Sequence, residues 1–403
     1  MKPLLLIQEI RSWIQIYWAD YRFRRKQPKP WRRTTLRDIP IAPIEEMLRR
    51  WAGGSIWRGG PQPEANQICP ALTHYRGDEP AEDRAKAVAN AERWPLRAQR
   101  MFWCGPIVDH FGHQLGEFGG RLLLSSLDQR HGQLLFLHPC GDRDFRQLLP
   151  WQQAWIRYLN PTDKPVCIRH GAFRARELIV IPQQQRLGCP PTSALLWALR
   201  QRSQSLTEKP LSKIILLSRA RYSPAVCQRS LRGSIAGEAA FEDWMADRGV
   251  RIVHPETLAF EQQLRLLHNS QRIVVMEGSA LHALELLGRQ PTKQVFVIAR
   301  RPSWPGMDLP LRSRFPKLIW LDAVDKLFWR EPSNPRVKGI AIINWAVVLK
   351  ALEQCFGLIQ QAGDADKLRE AGRLQIQQLK AQISLTLRNC VAKDWQPGRA
   401  GGW

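Results

Sequence analysis

The chain has 403 residues, 44 % hydrophobic and 24 % charged, the balance of a globular protein too long for one simple core. Its 60 Lys and Arg against 36 Asp and Glu leave a net charge of +24, a field that favours polyanions and phosphorylated ligands. There is no zinc-finger spacing, no basic-region heptad and no aromatic strand pair of the RNA-binding kind, so the charge selects no specific nucleic-acid fold.

At the N-terminus Ile7, Ile10, Ile14 and Tyr17 recur at helical spacing, and Arg22, Arg24, Arg25 and Lys26 follow. This predicts an amphipathic helix and basic segment over residues 1–40. Such a helix either lies peripherally on the inner face of a membrane or docks on the protein's own core. The apolar run is too short for a signal peptide and lacks a small-residue cleavage site, and no stretch is long enough to span a bilayer. Residues 27–100, rich in Pro, Arg and Trp, read as irregular structure with short helices at 43–51 and 81–93. The pattern then sharpens into a helix over 110–126, a strand over 133–138, a helix over 146–159, strands over 166–169 and 177–181, and a helix over 191–204.

Residues 208–212 read as a hinge. Beyond it, strands at 213–217, 251–254, 272–276, 294–298 and 317–321 alternate with helices at 239–248, 257–269 and 279–287. Apolar strands of about five residues alternating with helices predict a parallel, doubly covered, Rossmann-like sheet. Helices over 345–360 and 368–387 close the chain; the second either packs back on the body or pairs with a second copy, and the residues from Cys390 on read as a loose tail. The predicted organisation is a segment 1–40, an α/β domain over 41–208, a nucleotide-binding domain over 209–335 and C-terminal helices over 336–403. The eight cysteines include no C-x-x-C pair and read as thiols of a reducing, cytoplasmic compartment, not as a zinc site.

Two polar clusters carry the chemistry. Asp109, His113, Glu117 and Arg121 fall four residues apart and predict one polar stripe on a helix. A carboxylate beside an imidazole fixes its tautomer, as general-base catalysis needs; the plain alternative is a surface ladder of ion pairs. In the second cluster a buried strand runs into Glu277-Gly278-Ser279-Ala280-Leu281-His282, a tight turn into a helix N-terminus that suits an anion. Ser279 would cap the helix or donate to a phosphate, and Glu277 would accept from a sugar or ribose hydroxyl. His282 falls in the first turn, where a packed or capping role is the plain reading. The strand 213–217 runs into Ser218-Arg219, which sets a guanidinium at the sheet's carboxyl edge. No Walker lysine or G-x-G-x-x-G pattern is present, and Asp142-Arg143-Asp144 reads as an ordinary turn.

The ordered set Asp109-x-x-Gly112-His113-x-x-x-Glu117-x-x-x-Arg121, Ser218-Arg219, Gly237-Glu238 and Gly278-Ser279-Ala280-Leu281 resembles the signatures of glycosyltransferase family 61. That family includes capsular and exopolysaccharide enzymes. Two positions depart from its pattern: Gly237 stands for Asn, and Glu277 for the His that often precedes the Gly-Ser pair. The resemblance implies an inverting transferase of two Rossmann-like domains facing across a cleft (the GT-B arrangement). It implies a nucleotide-sugar donor, UDP-linked, and a glycan acceptor in surface polysaccharide synthesis. His113 would be the base, oriented by Glu117 or Asp109. Arg219, Gly278 and Ser279 would hold the diphosphate, Glu238 and Glu277 would contact the ribose or sugar, and Ala280 and His282 would complete the donor-binding set. No divalent metal or other cofactor is required in that arrangement. The rival expectation is a non-catalytic glycan- or nucleotide-binding protein on the same fold.

Overall fold

The computed structural model describes residues 33–45, 57–63, 69–76, 79–80, 82–83, 90–208, 212–221, 233–301, 307–329, 339–382 and 388–391. The expected N-terminal amphipathic helix lies outside the described residues.

The first sheet has seven strands in the order β5-β2-β1-β9-β6-β7-β8. They are β1 (Thr34–Glu45), β2 (Trp57–Pro61), β5 (Glu82–Asp83), β6 (Leu96–Pro106), β7 (Gln133–Leu137), β8 (Val166–Arg169) and β9 (Phe173–Val180); β3 (Tyr75–Arg76) and β4 (Glu79–Pro80) form a separate hairpin. β6 runs parallel to β7 and β9, and β7 to β8, while β1 is antiparallel to β2 and β9. Among the four parallel strands the order in which the chain lays them down is third, second, first, fourth, so the direction of winding reverses between β6 and β9.

β1 replaces the irregular stretch and the start of the helix expected at 43–51. Pro40 and Pro43 disguise it, since proline is rare inside a sheet. Here the pairing with β2 reaches only from Ile41 onward and is irregular between Ala42 and Glu45. The helix expected over 81–93 is also absent where it is described: Glu82–Asp83 is strand and Ala91–Arg93 a single tight turn. β6 escapes the periodicity because Leu96–Gln99 are exposed and only its second half is buried.

The second sheet contains β10 (Ser212–Leu217), β11 (Arg251–Val253), β12 (Ser270–Met276), β13 (Gln294–Ile298) and β14 (Lys317–Leu321) in the order β11-β10-β12-β13-β14. All pairs are parallel. This 2-1-3-4-5 order is that of a doubly wound sheet, with its reversal between β10 and β12. Side chains alternate between two cores: Ile215, Leu217, Ile273, Val275, Val295 and Val297 on one face, Leu216, Val274, Met276, Phe296 and Ile298 on the other. The first of these cores also contains Phe102, Leu134, Phe136 and Trp155 of the first half, so one continuous core joins the two sheets.

A third sheet, β16-β15-β17, is antiparallel and is formed by β15 (Val324–Trp329), β16 (Ile340–Ile343) and β17 (Arg388–Val391), so Cys390 is strand and not loose tail. Helix Trp345–Phe356 covers the second sheet, and helix Asp364–Gln382 packs back on the body through Leu368, Ile376 and Leu379. No helix among the described residues is long and apolar enough to cross a membrane.

Candidate active site

Both winding reversals place a loop at the carboxyl edge of a parallel sheet, where the crevice for a ligand forms in such folds. At the first, β6 leads through Asp109 and His110 into helix Phe111–Gly116. The expected single helix over 110–126 breaks at Glu117 (φ −126, ψ −55) into this helix, a tight turn Phe118–Arg121 and helix Leu122–Leu127. Gly112, Gly116, Gly119 and Gly120 weaken the helix, and packing demands them: a Cβ on Gly119 would lie 2.9 Å from the Trp155 ring.

The break dissolves the four-residue stripe. Arg121 turns inward, is 2 % exposed, and donates to the carbonyls of Ala71, Leu72 and Thr73 at 2.9–3.2 Å. Asp109 is exposed and accepts from Gln152 Nε2 at 3.3 Å. Only His113 and Glu117 remain together, with Nδ1 3.0 Å from Oε2. The buried Glu117 carboxylate also faces two residues that the spacing does not reveal, His74 Nε2 at 3.6 Å and Arg76 Nε at 3.5 Å.

Burial pushes Glu117 towards neutrality, but the hydrogen bond from His113 and the nearness of His74 and of the Arg76 charge outweigh it and hold the carboxyl down to about 2. Burial lowers His74 to about 4. For His113 burial is again the largest effect and lowers its pKa against the opposing pull of Glu117. The result is an ionised carboxylate holding a neutral imidazole, the form that accepts a proton.

At the second reversal, β10 ends in Ser218-Arg219 and β12 in Glu277-Gly278. Glu238 opens helix Glu238–Ala246 and accepts from Ser218 Oγ (3.1 Å) and Arg219 N–H (2.6 Å). Arg219 Nη1 donates to the Gly233 carbonyl (2.6 Å) and the Glu277 carbonyl (3.1 Å). A Cβ on Gly278 would lie 2.8 Å from Arg219 Nε, so glycine lets the guanidinium lie flat on the turn.

Glu277 is fully buried and its carboxylate turns to β13, not to the crevice. It accepts from the N–H groups of Arg300 (2.8 Å) and Arg301 (3.0 Å) and from Arg301 Nε (2.5 Å). Burial alone would raise its pKa; Arg301 and Arg300 override it and hold the group below the usual carboxylate range. Arg300 is pushed down to about 9 by burial and by Arg301, with Arg219 adding to the effect. Three guanidinium groups therefore crowd one sheet edge, an arrangement that an anion relieves. Arg300 and Arg301 are absent from the sequence reading, although the signal was there: they follow β13 as Ser218-Arg219 follows β10. Glu238 is pushed up to about 7 by burial.

The turn after Gly278 differs from the expected helix over 279–287. Only Leu281–Leu284 is helical, and the N–H groups of Leu281 and His282 bond back to the carbonyls of Gly278 and Ser279 at 3.1 Å. Ala280 adds backbone only, its carbonyl accepting from Ala283 N–H. So short a helix has little dipole to offer, and the positive charge at this edge comes from the arginines. Among the described residues no group of three His, Cys, Asp or Glu is arranged to hold a metal ion. Asp142 is taken up by Arg169 (3.0 Å) and the His170 N–H (2.5 Å).

The two edges meet. A Cβ on Gly112 would lie 3.4 Å from Ser279 Cβ and 2.9 Å from His282 Cδ2. The helix that carries His113 thus rests directly on the Gly278–His282 turn, and two clusters some 170 residues apart are brought into contact. Residues 111–291, which hold both clusters apart from Asp109, match the model of the family described as Glycosyltransferase 61. Those residues form a glycosyltransferase family 61 domain. No curated protein matches it. Among solved structures the glycosyltransferase has a weak likeness to a rubredoxin oxygen:oxidoreductase from the anaerobe Desulfovibrio gigas, with 9 % identity, 68 % of this chain and 53 % of that one covered, and a TM-score of 0.19. The chain spans about half the length of that structure, and a likeness so slight bears on neither fold nor function.

Proposed function

We propose that this glycosyltransferase is an inverting enzyme of the GT-B arrangement. Residues 41–208 would form the acceptor side and 209–335 the donor side of a cleft. It would move a sugar from a UDP-linked donor to a hydroxyl of a glycan in surface polysaccharide synthesis. The observation that supports this reading most is the contact of Gly112 with Ser279 and His282, which sets the helix of the Glu117-held imidazole against the turn whose Gly278 packs on Arg219.

In the proposed reaction the acceptor oxygen forms a bond to the anomeric carbon from the face opposite the leaving group. The bond from that carbon to the phosphate oxygen breaks, and its electron pair stays on the nucleoside diphosphate. The acceptor proton passes to His113 at Nε2 while Nδ1 is held by Glu117. Charge that develops on the diphosphate is met by Arg219, Arg300 and Arg301 at the turn Gly278-Ser279-Ala280, so the step needs no divalent cation. Glu277 and Glu238, expected at the sugar or ribose, instead support that cluster: Glu277 holds Arg300 and Arg301, and Glu238 fixes the Ser218-Arg219 turn.

A panel of UDP-, GDP- and CMP-linked sugars, assayed with excess EDTA, tests the reading. Transfer from one UDP-sugar, retained in EDTA and giving the opposite anomeric configuration by NMR, is expected. Retention of configuration, or transfer only with a divalent ion, would overturn it.

A further inference from the structure

A second imidazole–carboxylate pair lies beside the first. His282 Nδ1 is 2.6 Å from Glu285 Oε1, and Glu285 is 3 % exposed. The other oxygen of Glu285 accepts from the side-chain amide of Gln185, whose oxygen accepts from Arg314 Nη2 at 2.6 Å. Arg314 is fully buried and donates also to the carbonyls of Leu287 (3.2 Å) and Pro310 (2.8 Å). Gln185 follows β9 of the first sheet, and the other three residues belong to the second half, so this relay crosses between the halves.

The floor beneath the ring is bare. A Cβ on Gly116 would lie 2.4 Å from His282 Nδ1, and one on Gly112 would lie 3.2 Å from Nε2. The imidazole therefore lies along helix Phe111–Gly116 with its Nδ1 end at Gly116 and its Nε2 end at Gly112, where Ser279 also touches. A carboxylate on one ring nitrogen fixes the direction in which the other points.

We infer that His282 donates a hydrogen bond from Nε2 to a phosphate oxygen of the departing nucleoside diphosphate, and that Glu285, locked by Gln185 and Arg314, is its positioning residue. No proton leaves His282 in this step; the bond made and the bond broken are those given above. The inference rests on the glycosyl-transfer reading and adds to it a donor-side imidazole whose aim depends on both halves.

Steady-state transfer from the UDP-sugar that the wild type uses is the test. His282→Ala should lower kcat ~10²- to 10³-fold, as loss of a donor to developing charge does. Glu285→Gln keeps the volume and the contact to Gln185 but removes the charge. It should lower kcat roughly 10-fold or more with the donor KM within about 3-fold, the sign of an interaction made in the transition state. The double variant should be no slower than His282→Ala alone, because the two act as one unit. Gly116→Ala, which displaces the ring from the opposite side with His282 intact, should reproduce the loss of kcat and keeps the test open if His282→Ala does not fold. Wild-type kcat in Glu285→Gln, or a loss that adds in full to that of His282→Ala, would overturn the inference. Absence of transfer in the wild type with every donor would instead overturn the glycosyl-transfer reading itself.

Discussion

The two sheet edges of this protein share a plan and differ in chemistry. Each is the point where the winding of a parallel sheet reverses, between β6 and β9 on one side and β10 and β12 on the other. On the first, one carboxylate, Glu117, serves His113, His74 and Arg76, and burial keeps both imidazoles low in pKa. On the second, two carboxylates, Glu277 and Glu238, serve three arginines, and burial pushes Arg300 down and Glu238 up. Burial thus favours neutral imidazoles at the first edge, while the second concentrates guanidinium groups. In the proposed transfer the fold supplies the place, and the side chains at each edge would set its part in the reaction.

If the edges divide the reaction in this way, variants at each should fail differently. The largest effect is expected for His113→Ala, which should lower kcat ~10²- to 10⁴-fold with donor affinity unchanged, as loss of a general base does. Arg219→Ala should cost ~10²- to 10³-fold in kcat/KM and weaken donor binding as well, which titration calorimetry would measure. Gly278→Ala should cost roughly 10- to 100-fold by displacing the Arg219 guanidinium, since a misplacement of about 1 Å is enough for that.

Titration separates the edges further. The base must be neutral, and the pKa of His113 lies below its ordinary value of 6.5, so the acid limb of kcat/KM should fall below pH 6.5. On the donor side, Glu238 is raised from 4.5 to about 7; its contribution to stability is present below 4.5 and lost as pH rises through about 7. Between pH 6 and 8 the stability of Glu238→Gln should therefore improve against the wild type by about 1 kcal/mol, read from urea melts at the two pH values.

The legible parts of the fold are those that local pattern controls. β13 and β14 begin and end where continuous apolar runs do. β1 and the first half of β6 were hidden by prolines and by exposure, because their strand character comes from partners distant in sequence. The same division holds at the site. The His113–Glu117 pair and the Arg219–Gly278–Ser279 grouping could be read from spacing and strand ends. Arg121 was misplaced because four glycines break the helix that the spacing assumed. Glu277 was read as a ligand group because nothing local says that its carboxylate turns to Arg300 and Arg301 on the neighbouring strand. His74 lies in a stretch without periodicity, and only the tertiary fold brings it to Glu117.

In the proposed reaction, proton acceptance and donor binding reside on different sheet edges. Titrating the UDP-sugar substrate into wild type, His113→Ala and Arg219→Ala, alongside turnover, tests it most directly. The expected result is donor affinity within about 3-fold of wild type for an inactive His113→Ala, and at least 10-fold weaker binding for Arg219→Ala. Equal loss of donor binding in both variants, or full turnover in His113→Ala, would contradict the division.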